Sequence, residues 1–155
     1  MDNFAPRSGL KTRGMTSTAR ILIIAGSDSG GGAGIQADIK TVTMLGGHAS
    51  TAITAVTAQN TVAVTAVHPV PAEMILAQIE AVISDIGVDA VKVVMIGSAF
   101  AADQVASRLE RLKAEQPGLP IVFDPVMVAT SGAPLADEAT VAAFGRLMED
   151  RKSVV

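Results

Sequence analysis

Arg20-Ile21-Leu22-Ile23-Ile24-Ala25-Gly26 runs directly into Ser27-Asp28-Ser29-Gly30-Gly31-Gly32-Ala33-Gly34 and then into Ile35-Gln36-Ala37-Asp38-Ile39-Lys40. The first piece, Ile21–Ala25, is short, wholly apolar and closed by glycine, as a central strand covered on both faces should be. The last piece predicts a helix over Ala33–Leu45, stopped by Gly46-Gly47. Between them lies a loop too rich in glycine to be ordinary. A strand, a loop and a helix in that order are the opening of a parallel α/β sheet.

The rest of the chain repeats the theme. His48–Thr57 reads as a second strand, and Thr61–Val67 as an edge strand or hairpin arm. Pro71 opens a helix whose Ile75, Ile79, Val82, Ile83 and Ile86 fall on one face. Asp89–Ile96 reads as a strand, Ala101–Glu115 as a helix broken by Pro117-Gly118, Ile121–Phe123 as a strand and Asp137–Met148 as a last helix. Strands and helices alternating at this spacing predict a parallel sheet with right-handed crossovers. Ligands of such sheets bind outside the carboxyl ends of the strands. Those ends carry Ser27-Asp28, Gln59-Asn60, Met95 with Gly97, and Asp124. Phe100 and Phe123 read as core, and His48 and His68 as surface or loop residues without a role.

Composition removes several functional classes. With 155 residues, 49% apolar and 17% charged, the chain is long and greasy enough to bury a core. A net charge of −3, with no Lys/Arg run longer than two, leaves no electrostatic footprint for nucleic acid. Four Phe without Tyr or Trp give no base-stacking platform. The absence of cysteine excludes disulfides, thiolate zinc sites and a thiol nucleophile, and two histidines make an all-His metal site remote. The apolar stretches are strand-sized, too short for a membrane span. A cytoplasmic protein is expected. Residues 1–19 read as a disordered leader or a misassigned start, with Met15 a sensible true start, and residues 20–149 as the folded unit.

The glycine-rich loop admits three readings. A Walker A loop requires a lysine at its end, and none is present. A dinucleotide fingerprint requires an acidic residue for the ribose after the second strand, yet no Asp or Glu lies between Asp38 and Glu73. The third is a backbone cradle, in which glycines and a helix N-terminus offer N–H groups to a small polar ligand. A plain turn in a tight crossover remains its alternative.

Four segments together are more specific. Ala25-Gly26-Ser27-Asp28 through Gly32–Lys40, then Thr54–Thr61, then Lys92 with Met95 and Gly97, then Asp124-Pro125-Val126-Met127 with Ser131-Gly132, closely resemble the signatures of hydroxymethylpyrimidine/phosphomethylpyrimidine kinases. They follow the family's order over residues 20–148. The resemblance implies a ribokinase-like α/β fold that uses ATP and Mg²⁺ to phosphorylate hydroxymethylpyrimidine and then its monophosphate, in thiamine biosynthesis. It implies that Gln59 hydrogen-bonds the aminopyrimidine edge and that Gly26, Asp38, Met95 and Val126 line or support the pocket. Asp124 is the implied metal contact, and Asp124 and Lys92 are the nucleotide-side candidates. Each has a plainer reading: Gln59 satisfies loop backbone, Met95 fills core, Lys92 snorkels or pairs, Asp38 caps or pairs, and Asp124 starts a turn. Val94 departs from the pattern, standing where the family usually has glycine.

A Gly-Thr-Gly-rich motif, which in the family forms the anion hole and carries the catalytic residue, is not found after Asp124. The fold is therefore expected to be truncated, lacking C-terminal strands and the anion-hole helix, with no catalytic residue of its own. An unpaired sheet edge, prone to aggregation, would follow. Residues 150–155 also spell one reading frame of a common sequencing-adapter oligonucleotide followed by a stop, so a non-native tail is expected there. The alternatives are a pyridoxal kinase of the same fold and a non-catalytic pyrimidine-binding module; a homodimer is a possible assembly of the full-length protein. Sequencing the source DNA across codons 149–155 is expected to show the frame continuing for roughly a hundred more residues, a typical domain completion. A genuine stop there would instead favour the binding module.

Overall fold

The structure, a computed structural model, describes residues 18–94, 96–124, 142 and 153–154. Its chain order is β1 (Arg20–Ser27), α1 (Gly34–Met44), β2 (His48–Gln59), β3 (Val64–Pro69), α2 (Ala72–Ala81) with a π-helical turn Val82–Ile86, β4 (Ala90–Val93), α3 (Ala99–Glu115), β5 (Ile121–Phe123) and β6 (Ser153–Val154). The six strands form one sheet in the order β3-β2-β1-β4-β5-β6. All neighbours are parallel except β2 and β3, which pair as the hairpin arm that the alternation in Thr61–Val67 predicts. The predicted helix Asp137–Met148 lies outside the described residues, apart from Ala142.

β1 is the centre, and its sequence says why. Leu22, Ile23, Ile24 and Ala25 are all fully buried, so both faces of the strand are covered. Leu22 and Ile24 join Val91 and Val93 against Ile75 and Ile79 of α2 and Leu109 and Leu112 of α3. Ile23 and Ala25 face the other way, onto Ile35 of α1. The chain leaves β1 toward β2 on one side and later returns to β4 on the other. The sheet's topological switch point is therefore the β1–β4 crevice, where α/β sheets bind ligands.

Two predicted core positions differ, each for a local reason. The turn Val82–Ile86 closes an i→i+5 hydrogen bond from Gly87 N–H to the Val82 carbonyl, 2.9 Å, which rotates the helix phase. Ile75, Ile79 and Val82 stay buried, whereas Ile86 turns outward. Phe123 is buried, but Phe100 is 70% exposed. It sits in the first turn of α3, off the stripe Ala101, Ala102, Val105, Leu109 and Leu112 that faces the sheet. His48 and His68 are exposed, on strands rather than loops. The outer side of β5 pairs with the two-residue β6, Ile121 opposite Ser153 and Val122 opposite Val154, and β6 is the edge strand.

Two side chains substitute for missing strand pairing or lock strand starts. The Gln78 amide accepts from Ile53 N–H at 2.9 Å and donates to Ile53 C=O at 3.2 Å, completing the flank of β2 that β3 does not reach. At the opposite end of the sheet Arg20 clamps Asp89: its Nη2 and Nε donate to the carboxylate at 2.8 and 3.0 Å, and its backbone N–H adds a third bond at 2.8 Å. Arg20 Nη1 also reaches the Ile86 carbonyl at 2.6 Å. This joins the start of β1 to the approach to β4.

The clamp gives an acid dependence. The Arg20 guanidinium, then its backbone N–H, hold the Asp89 carboxyl at about 2 against an ordinary 3.8. Between those values the unfolded chain takes up a proton that the folded chain resists, so stability present above 3.8 is lost as the pH falls toward 2. Glu80, held low by its hydrogen bond from Arg108, acts in the same direction. Asp89→Asn is expected to flatten, without abolishing, the acid limb of a urea-midpoint-versus-pH curve. An identical slope in the variant would show that the clamp does not form.

Candidate functional site

A cavity of about 240 Å³ opens at the carboxyl ends of β1, β2, β4 and β5, between them and the start of α1. Gly26, Asp38, Gln59, Lys92 and Asp124 all line it, together with Thr57 and Val94. The structure therefore brings together five of the seven residues predicted for the site. Met95 and Val126 lie outside the described residues. A second cavity of about 320 Å³ adjoins it beneath the β2–β3 turn, and Asp28, Ala33 and Gln59 border both.

The glycine-rich loop is not an open cradle, since part of its N–H inventory is already taken. The buried Asp28 carboxylate accepts from Gly30 N–H at 2.7 Å, Gly32 N–H at 2.9 Å and Ala33 N–H at 2.8 Å. A carboxylate supplied by the chain itself takes N–H groups that the cradle reading offers to a small polar ligand, just before α1. The Asp-x-Gly spacing of an Asx turn was the available signal. Gln36 ties the other side, accepting from Asp28 N–H at 2.8 Å and donating to Ser27 Oγ at 2.8 Å. Gly34 is obligatory: its φ is +55°, and a Cβ would lie 2.3 Å from the Gly26 carbonyl oxygen.

Gln59 is the last residue of β2, beyond an irregularity in the pairing of that strand with β1. Ala25 pairs with Ile53 but Ser27 with Val56, so two steps of β1 match three of β2. Burial along β2 shifts from Ser50, Ala52 and Thr54 to Ala55 and Thr57. An unbroken alternation would have turned Val56 and Ala58 inward instead. Thr57 Oγ1 donates to Ser27 C=O at 2.8 Å and lies 3.4 Å from Gln59 Oε1. The Ser29 hydroxyl bonds both the N–H and the C=O of Gln59 at 2.7 Å. Neither Thr57 nor Ser29 is evident as a site residue from spacing alone.

Lys92 joins two carboxylates. Its Nζ donates to Asp38 Oδ1 at 2.6 Å and stands 3.9 Å from Asp124 Oδ2. It is the one cation lining the cavity among the described residues. The second Asp38 oxygen is buried without a hydrogen-bond partner. Asp124 is half exposed at the rim, held by its N–H to the Val93 carbonyl at 2.9 Å. Among the described residues no three His, Cys, Asp or Glu cluster as a cation cage. A lone exposed carboxylate fits Mg²⁺, which keeps most of its waters and shares phosphate oxygens. Val94 packs toward Ile23, Ala25 and Ile35, so its side chain fills wall space that glycine would leave open.

The profile of the phosphomethylpyrimidine kinase family matches residues 28–155. The hydroxymethylpyrimidine/phosphomethylpyrimidine kinase of Haemophilus influenzae is 48% identical over 132 residues, 85% of this chain and 48% of that protein. The chain spans about half the length of the curated relatives it matches. The crystal structure of phosphomethylpyrimidine kinase from Clostridium difficile superposes with a TM-score of 0.71 at 42% identity, over 82% of this chain and 53% of that one. The pyridoxal kinase from Staphylococcus aureus in complex with AMP-PCP gives 0.67 at 30% identity, over 83% and 44%. The fold is thus a ribokinase-like α/β sheet.

The Lys92–Asp38 pair is a testable hinge of this geometry. Asp38 is mostly buried, so removing its cation strands a carboxylate in a site that offers no second partner. Lys92→Met is expected to cost about 1–3 kcal/mol in urea unfolding, the usual penalty for orphaning a buried polar group. Lys92→Met combined with Asp38→Leu should recover part of that loss. Full stability of the single variant would show that the pair contributes nothing.

Proposed function

The chain belongs to the phosphomethylpyrimidine kinase family, and from that membership and the cavity's geometry we propose that it supplies the pyrimidine-recognition half of a kinase. The parent enzyme would phosphorylate hydroxymethylpyrimidine and its monophosphate with ATP and Mg²⁺, in a cytoplasmic setting. The observation that carries this reading is the convergence of Gln59, Asp38, Lys92 and Asp124 on one cavity at the switch point of the sheet.

Its size suits the substrate. At about 240 Å³ it falls just under the roughly 300–1,000 Å³ of drug-sized sites, which favours a single substituted ring. Gln59 offers an amide donor and acceptor to the aminopyrimidine edge. Polarity orients the ring. Lys92 is the one cation lining the cavity among the described residues, so the hydroxymethyl or phosphate end would point toward it. There Asp124 would help hold the hydrated Mg²⁺, and Lys92 would counter phosphate charge once its bond to Asp38 relaxes. When bound, the metal neutralises phosphate charge. Phosphoryl transfer depends on positioning and charge stabilisation, and the described residues supply the first more than the second.

A pyridoxal kinase is the neighbouring reading, and the higher identity to pyrimidine kinases ranks it second. Calorimetric titration separates the two. Hydroxymethylpyrimidine is expected to bind the chain, with Gln59→Ala weakening it about tenfold through one lost hydrogen-bonded contact. Binding of pyridoxal with none of hydroxymethylpyrimidine would overturn the assignment.

A further inference from the structure

Ser29 carries no expected role, yet its hydroxyl occupies an unusual position. The β1–β2 ladder stops at the pair Ser27–Val56, and β1 itself ends at Ser27. Gln59 lies three residues beyond Val56, past the last backbone partner that β1 provides. At that point Ser29 Oγ donates to the Gln59 carbonyl and accepts from the Gln59 N–H, both at 2.7 Å. A hydroxyl has one proton and two lone pairs, so it performs both tasks of a missing strand residue. It is a single-atom continuation of the ladder.

We propose that Ser29 is a positioning residue that latches the glycine-rich loop to the end of β2 and so aims the Gln59 side chain into the cavity. This rests on the pyrimidine reading given above and deepens it. The latch is needed on the β1 side alone. On the β3 side Gln59 pairs with Val64, and the Asn60 N–H donates to the Ala63 carbonyl at 3.0 Å. The Thr57 hydroxyl, 3.4 Å from Gln59 Oε1, holds the side chain only loosely. Ser29 in turn is held by its neighbour, because Asp28 immobilises Gly30, Gly32 and Ala33 around it. The loop's own order is thereby transmitted to the residue that reads the ligand.

Local hydrogen exchange and binding test this together. Ser29 is solvent-exposed, so Ser29→Ala leaves the core contacts untouched. In Ser29→Ala the Gln59 amide is expected to exchange at least about tenfold faster, while the Ile23 and Ile24 amides of β1 keep their protection. Hydroxymethylpyrimidine affinity should fall about three- to tenfold, the worth of one ordinary hydrogen bond. Ser29→Thr, which keeps the hydroxyl, should restore both. In a Gln59→Ala background Ser29→Ala should lose less than about twofold, because the latch acts through that side chain. Unchanged Gln59 exchange in Ser29→Ala, or an undiminished affinity loss in the Gln59→Ala background, would overturn the latch. If the unsubstituted chain fails to bind hydroxymethylpyrimidine, the pyrimidine reading falls, and the exchange result alone still decides whether the latch exists.

Discussion

One buried carboxylate sets the geometry on which the site depends. Asp28 is almost inaccessible to water, and burying a carboxylate is costly unless hydrogen bonds replace its hydration. Three backbone N–H groups of the following loop do so, all within 2.9 Å. The exchange works in both directions: the loop needs an acceptor for N–H groups that cannot join a helix, and the carboxylate needs donors. With the loop closed on itself, α1 begins at a defined place against β1, and Gly34 permits the contact with the Gly26 carbonyl. Asp38, one turn further along α1, then comes within reach of Lys92 on β4. Lys40 closes the same loop from outside, donating to the Gly31 carbonyl at 2.6 Å.

Much of this was legible in the residues. The apolar run Ile21–Ala25 marked the central strand, and the five helices and strands α1, β2, β3, α2 and β4 that follow the glycine loop lie where the sequence places them, with ragged ends. Of the strand ends predicted to converge, Ser27-Asp28, Gln59 and Asp124 line one cavity, Asn60 borders the adjoining one, Gly97 lines neither, and Met95 lies outside the described residues. What was hidden was phase. A β-bulge opposite Gly26 and a π turn at Val82–Ile86 each shift a side-chain pattern by one position, and neither leaves a compositional mark. Ile86 and Phe100 point outward because local rotation, not apolar residue type, decides which way a helical side chain faces. The link from Lys92 to Asp38 spans 54 positions along the chain and follows only from the pairing of β1 with β4. Charge alone could suggest a partner for Lys92, but not which one.

β2 shows how a strand is finished by side chains where backbone runs out. On one flank Gln78 supplies both a donor and an acceptor to Ile53, where β3 no longer reaches. At its carboxyl end Ser29 does the same for Gln59. Both devices satisfy a backbone N–H and C=O pair that would otherwise invite pairing with another chain. They differ in exposure and in consequence. The amide of Gln78 belongs to a helix whose Ile75 and Ile79 are fully buried, so its partner strand is held by the core itself. The hydroxyl of Ser29 sits on an exposed loop, so its hold is open to competition from water.

That contrast suggests why recognition is assembled at this end of the sheet. The parallel strands β1, β2, β4 and β5 are fixed along their length by buried Leu22, Ile24, Ala52, Val91, Val93, Ile121 and Phe123. Their carboxyl ends are fixed instead by polar contacts: Asp28 to its loop, Ser29 and Thr57 around Gln59, Lys92 between Asp38 and Asp124. Apolar packing tolerates no polar ligand, whereas each of these polar contacts leaves a donor or acceptor that a ligand can share. Gln59 is the clearest case, since the contact from Thr57 to its side-chain oxygen is a long 3.4 Å. A site that must admit a small polar ring, hold it and release it is built from contacts of this middling strength. The rigid apolar body of the sheet limits how far they can move.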